Sequence, residues 1–286
     1  MLQASEISIP SPLYEKHATI YSDNALSPKA CILYFHGGGL LYGSRDDLPT
    51  YHLEALCSQA YVIIALDYPL APAAKISDIM EDVQNSISWY LDCRQQLFLS
   101  PLPYFLWGRS AGAYLCLLSL KYELREAPSG ILSYYGYGLL RDGWFNSPNA
   151  FYNQYPPVSP GCLSSLSSEI HSSVPLETHF VIYVYLRQKG LWSSFFSSPD
   201  TADLLSSYSL RELPHEKTNC PIFFAHSTSD PDVPFAEFSA LINKFPNNRR
   251  FVVAEQPHDF DRNTNEGFTK ELLDESILFL SDCLKA

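Results

Sequence analysis

Short apolar runs alternate with amphipathic stretches along most of this 286-residue chain. Cys31–Phe35, Tyr61–Leu66, Tyr104–Trp107, Gly130–Tyr135, Pro221–Ala225 and Arg249–Ala254 are each too short for a helix. They read as strands, the first three of them buried. Between them, Ile76–Leu97 places Ile76, Ile79, Val83, Ile87, Tyr90 and Leu91 at helical spacing. Asp47–Gln59, the run from Ala111, Phe235–Phe245 and Glu266–Leu284 read as helices too. Alternating strand and helix predicts an α/β fold: a mostly parallel sheet of the eight-stranded type, with helices on both faces. Two weaker runs, Glu6–Ile9 and His17–Tyr21, are expected to be edge strands.

The alternation breaks at about residues 136–216, which are rich in aromatics, Pro and Ser. Seven serines fall in 159–173, too polar and broken for a core element. Pro175–Gln188 then looks helical, with Pro175 at the helix start. We read residues 1–286 as one domain, with 136–216 inserted as a cap over the C-terminal edge of the sheet.

Composition narrows the classes. A hydrophobic content of 46% with 17% charged residues argues against disorder. A formal charge of −12 disfavours nucleic acid and anionic membranes as partners. No signal-peptide pattern and no membrane-length apolar run is visible, so no membrane insertion and a cytoplasmic location are expected. The seven cysteines (31, 57, 93, 116, 162, 220, 283) form no C-x-x-C pair, which fits a reducing compartment and no metal site.

The candidate chemistry centres on Gly108-Arg-Ser-Ala-Gly112, between a predicted strand and a predicted helix. A strand turning sharply through Gly-x-Ser-x-Gly into a helix lifts the serine out of the sheet. Chance supplies such a motif in about one chain in ten of this size. A serine nucleophile also needs a base, an orienting acid and oxyanion donors. In His226-Ser-Thr-Ser-Asp230-Pro-Asp232-Val233-Pro234, Asp230 is the favoured acid and Asp232 its rival. Both follow a predicted strand. His258 follows the next strand and is the one histidine after Asp230. His36-Gly-Gly-Gly39 follows the strand Cys31–Phe35 and leaves backbone N–H groups uncovered. Gly38, Gly39 and Ala111, next to the serine, are the candidate oxyanion donors. His36, His171, His179, His215 and His226 read as structural.

With these residues assembled, the chain resembles α/β-hydrolase-fold esterases and lipases, and is similar to hormone-sensitive-lipase-like carboxylesterases with a His-Gly-Gly-Gly loop. The matching residues are His36–Gly39, Asp67-Tyr-Pro-Leu-Ala-Pro72, Gly108-Arg-Ser-Ala-Gly112, Asp230 and His258-Asp-Phe260. The resemblance implies an acyl-ester hydrolase working through Ser110, His258 and Asp230 without cofactor. Against the family pattern, Arg109 stands where Asp is usual, Ala113 replaces a glycine, and Pro69 and Ala73 replace Arg and Glu. Nothing in the sequence assigns Arg109 a role.

Tyr135 and Tyr137, flanking Gly136 at a strand end, are the candidate walls of a substrate pocket. The short cap favours a small soluble ester over long-chain fats. Two alternatives stand beside the serine carboxylesterase: an amidase or aminopeptidase-like hydrolase with the same triad, and a non-catalytic binding protein on a hydrolase scaffold. The sequence leaves a homodimer open.

Overall fold

A computed structural model describes residues 1–98, 100–197 and 201–285. In chain order the elements are β1 (Leu2–Ile9), β2 (Lys16–Asp23), β3 (Ala30–Phe35), α1 (Thr50–Cys57), β4 (Tyr61–Leu66), α2 (Ile76–Phe98), β5 (Tyr104–Arg109), α3 (Ala111–Leu118) and β6 (Ile131–Tyr134). There follow α4 (Leu176–Lys189), α5 (Trp192–Phe196), α6 (Thr201–Ser207), β7 (Ile222–Ser227), α7 (Phe235–Lys244), β8 (Asn248–Val253) and α8 (Gly267–Cys283). The strands form one eight-stranded sheet in the order β1-β2-β4-β3-β5-β6-β7-β8. From β4 to β8 the neighbours pair in parallel, while β1 and β2 join as an antiparallel edge. This is the α/β-hydrolase fold.

The apolar runs form strands because both faces of the sheet are covered. In β3, Cys31, Leu33 and Phe35 enter one core, with residues of α2, α3, α7 and the cap. Ala30, Ile32 and Tyr34 enter the other, with residues of α1 and α8. A strand buried on both faces carries no polar alternation, so it reads as a continuous apolar run.

Three departures from the expected elements have local causes. The helix expected from Asp47 begins at Thr50 after Pro49, because the Asp47 carboxylate accepts bonds from Tyr34 (2.5 Å) and Arg262 (2.8 Å). Pro175 precedes α4 as its cap residue and is not part of the helix. The short helices α5 and α6 lie in the Ser- and aromatic-rich stretch, whose apolar residues are too irregularly spaced to announce a helix. Where the chain leaves β6, Glu237 on α7 pins it. Its buried carboxylate accepts backbone N–H groups from Gly138, Leu139, Leu140 and Arg141.

Packing around the turn at Ser110 decides where the site lies. Phe35 of β3 stands beside Gly108 of β5 in the parallel register, and α3 starts immediately against them. A Cβ at Gly112 would lie 2.0 Å from the Phe35 carbonyl oxygen, and one at Gly108 would lie 2.1 Å from the Gly112 carbonyl carbon. Neither position admits a side chain without moving backbone. Gly112→Ala is therefore expected to destabilise the protein by about 2–3 kcal/mol through overpacking, measured by denaturant unfolding. An unchanged midpoint would contradict this account of the turn.

Candidate active site

Ser110 caps α3 with φ 53° and ψ −115°, a backbone conformation that a non-glycine residue adopts only under constraint. The constraint is visible: its N–H donates to the Tyr134 carbonyl (2.9 Å), and its own carbonyl accepts from Tyr114 (3.1 Å). The hydroxyl, held above the strand ends, stands 2.7 Å from Nε2 of His258. On the far side of the imidazole, Nδ1–H donates to Asp230 Oδ2 at 2.7 Å. A carboxylate only accepts, so Nδ1 carries the proton and Nε2 is free to accept from the serine. Ser110 and His258 are partly buried, whereas Asp230 is buried.

The surroundings separate the two candidate carboxylates. Asp230 keeps one oxygen for His258 and accepts the N–H groups of Asp232 (2.8 Å) and Val233 (2.9 Å) on the other. Asp232 turns to the cap instead: its carboxylate accepts from Tyr183 (2.8 Å) and Tyr152 (3.2 Å). Arg187 donates to the Asp232 carbonyl at 2.8 Å. The rival carboxylate is thus a tie between the acid loop and α4. His226, read as structural, donates from Nε2 to the Val233 carbonyl (3.0 Å) and braces the same loop.

The glycine loop after β3 has its peptide planes fixed by hydrogen bonds to its carbonyls. In a trans peptide the C=O and the following N–H point oppositely, so fixing a carbonyl fixes the next N–H. The Gly37 carbonyl accepts from His36 Nδ1 (2.7 Å) and Tyr68 (3.2 Å), which orients the N–H of Gly38. The Gly38 carbonyl accepts from Leu41 (3.0 Å) and Tyr42 (3.1 Å), which orients that of Gly39. His36 stacks on Tyr68, ring centroids 4.2 Å apart, and is the loop-fixing residue expected of it. Gly38 and Gly39 have φ of +99° and +60°. A Cβ at Gly39 would also meet the Tyr183 ring at 2.4 Å. The indole of Trp192 on α5 donates to the Gly39 carbonyl (2.8 Å), so the cap holds this loop as well.

Tyr135 and Tyr137 do not form the expected pocket wall. Each is 1% exposed, so neither ring faces an open cavity. Tyr137 stacks on Tyr114 (4.8 Å) and meets Trp144 and Trp192 edge-on (both 5.5 Å). Tyr135 lies against His258, its ring 4.7 Å from the imidazole. Its hydroxyl donates to Asp261 Oδ1 at 2.7 Å. Tyr42, following the glycine loop, meets the exposed Phe180 of α4 edge-on, ring centroids 6.0 Å apart.

Arg109, unassigned from the sequence, is buried beside Tyr135. Its Nε donates to the Tyr135 hydroxyl (2.6 Å), Nη2 to Asp261 (3.0 Å) and Nη1 to Asp47 (3.3 Å). His52 donates to the other Asp261 oxygen at 3.0 Å. Burial alone would push the Asp261 carboxyl up, but Arg109, His52 and Tyr135 outweigh it and hold the group far below the usual carboxylate range. The roles of Tyr68, Trp192, Tyr183 and Asp261 were not assigned from the sequence, where Tyr68 stands out only in the run Asp67–Pro72 and Tyr183 and Trp192 only among the aromatics of the cap.

Among the described residues no cluster of His, Cys, Asp and Glu could hold a metal ion, and no helix is long and apolar enough to cross a membrane. The arrangement offers a hydroxyl whose proton can pass to an imidazole backed by a carboxylate, beside oriented N–H groups. Burial disfavours the His258 cation, yet the Asp230 carboxylate outweighs burial and raises the imidazole above its ordinary 6.5. The cation should therefore persist to higher pH than in an ordinary histidine. In Asp230→Asn, burial should prevail and the pKa should fall below that of the parent protein. NMR titration of the His258 ring checks both. A parent value below 6.5, or no fall in the variant, would contradict the assignment of Asp230 as the partner.

With this geometry in hand, the comparisons with known proteins agree on the scaffold. Residues 32–159 match a family model described as the alpha/beta hydrolase fold. The chain is similar to the crystal structure of an alpha/beta hydrolase superfamily protein from Enterococcus faecalis. The two are 26% identical with a TM-score of 0.83, over 98% of this chain and 99% of that one. It is 32% identical over 108 residues to Lipase 2 of Moraxella sp., 37% of this chain and 24% of the lipase. It is also 29% identical over 174 residues to a non-reducing polyketide synthase of Penicillium rubens, 56% of this chain and 7% of the synthase. The chain thus matches about a quarter of the lipase and a much smaller part of the synthase. It is an α/β-hydrolase-fold protein similar to the esterase and lipase group.

Proposed function

We propose that this α/β-hydrolase-fold chain is a serine carboxylesterase that cleaves small soluble esters through an acyl-enzyme. The observation that carries the reading is His258, with Ser110 Oγ at 2.7 Å on one nitrogen and Asp230 at 2.7 Å on the other. Ser110 attacks the ester carbonyl while His258 takes its proton. Asp230 keeps the imidazole in the tautomer that can accept, and favours the cation that forms. The N–H groups of Gly38, Gly39 and Ala111 receive the carbonyl oxygen as it gains charge. One preorganised donor of this kind contributes about 3–4 kcal/mol to the transition state. His258 then protonates the leaving alkoxide, the alcohol departs, and the acyl group stays on Ser110. Water, deprotonated by His258, attacks that ester, and collapse of the second tetrahedral intermediate returns the serine and releases the acid.

One feature supports a small substrate: the cap is tied down on two of the loops it touches, through Trp192 on the Gly39 carbonyl and Tyr183 on Asp232. No step of the catalytic scheme calls for a metal or an organic cofactor, and the partner implied is the ester itself. The intact Ser110–His258–Asp230 chain weighs against a purely binding role.

Hydrolysis of a short-chain chromogenic ester tests the assignment. Ser110→Ala is expected to abolish turnover, and Asp230→Asn to lower kcat by about 10⁴-fold. Asp232→Asn should cost far less, because its carboxylate faces the cap. Equal rates for the parent protein and Ser110→Ala would overturn the proposal. kcat/KM should fall as the pH drops through the raised pKa of His258, since the cation cannot accept the serine proton. An acid limb below 6.5 would be evidence against His258 as the base.

A further inference from the structure

The loop that carries His258 is sparsely held. Ala254, Glu255, Pro257 and Asp259 are exposed, and Glu255 has a positive φ of 55°. On the side nearer β8, Ser227 bonds the backbone of Gln256 at 2.7 Å and 3.0 Å. On the far side, the first deeply buried polar anchor is Asp261, fully enclosed. Its carboxylate is received by Arg109, Tyr135 and His52. Arg109 directly precedes Ser110 in the chain, so the anchor of the base loop is attached to the backbone of the nucleophile. Tyr135 completes the link. It bonds both members of the ion pair and lays its ring against that of His258.

Resting on the serine-hydrolase reading, we infer that Arg109, Tyr135 and Asp261 are positioning residues that fix the His258 imidazole relative to Ser110, independently of Asp230. The energetics favour this over a role in stability alone. A buried ion pair is often no more stabilising than apolar side chains of the same volume, because both charges must be desolvated. What it supplies is direction. The guanidinium fork accepts few geometries, and here its three donors reach Tyr135, Asp47 and Asp261 at once. Asp47 is itself held by Tyr34 and Arg262, so it cannot follow the fork if the guanidinium swings away. A shift of the imidazole of about 1 Å would slow proton transfer by up to about 100-fold.

Two variants separate positioning from stability. Tyr135→Phe keeps the ring on His258 and removes only the hydroxyl. The double variant Arg109→Met/Asp261→Leu removes both charges together, so that neither is left buried alone. The readouts are the rate constant for covalent labelling of Ser110 by a fluorophosphonate, and kcat and KM per labelled site, well below the melting temperature. We expect labelling and kcat to fall about 10-fold to 100-fold in the double variant, and less in Tyr135→Phe, with KM little changed in both. Wild-type rates per site in a folded Tyr135→Phe and in the double variant would overturn the inference and leave the network a purely structural one. If the double variant does not fold, wild-type labelling and kcat in Tyr135→Phe overturn it alone. Failure of the parent protein itself to label would instead overturn the serine-hydrolase reading on which the inference rests.

Discussion

The close approach of α3 to β3 and β5 governs the site. With no room for a side chain at Gly108 or Gly112, the chain must pass from strand to helix in one turn. The residue at the apex, Ser110, takes the left-handed strain. That strain is held by bonds to the next strand and the first helical turn. The hydroxyl consequently sits at the C-terminal edge of the sheet, where the loops after β3, β7 and β8 end. In a parallel sheet these loops converge because every strand from β4 to β8 points the same way. One tight helix–strand contact thus settles both where the Ser110 hydroxyl stands and which loops can reach it.

Each converging loop is then fixed by its carbonyls and carboxylates more than by apolar packing. The glycine loop has its carbonyls tied by His36, Tyr68, Leu41 and Tyr42, leaving the opposite N–H groups oriented. The acid loop is folded around Asp230, which receives two backbone N–H groups two and three residues ahead. Orientation is set before any ligand arrives, so little reorganisation remains to oppose the reaction proposed for the site.

How much of this was legible follows from which interactions are local. The strands were legible because two-sided burial writes them as apolar runs, and Tyr61–Leu66 matches β4 end to end. The convergence of Ser110, Asp230 and His258 was legible because each follows a strand in a fixed order. The partner of Arg109 was not. Asp261 lies 152 residues away in the chain, and no periodicity links the two. Tyr135 was misplaced for a related reason. Its position at a strand end suggested an open wall, but a φ of 40° turns it inward against His258. The cap contacts of Asp232 were hidden likewise, since they pair a loop after β7 with an inserted helix.

Asp230 and Asp232 show how one short loop serves two neighbours. Two carboxylates this close would repel if both faced His258, and one of them would tend to protonate. The loop avoids this by turning them apart. Asp230 faces His258, while Asp232 takes Tyr183, Tyr152 and Arg187 of the insertion. Because the N–H of Asp232 also bonds the Asp230 carboxylate, a pull on the cap is transmitted to the acid through a single peptide. Tyr183 extends the chain of contacts further, since its ring closes over Gly39 while its hydroxyl holds Asp232. The cap therefore belongs to the geometry of the site: one tyrosine spans the glycine loop after β3 and the acid loop after β7, and neither can shift without disturbing the other.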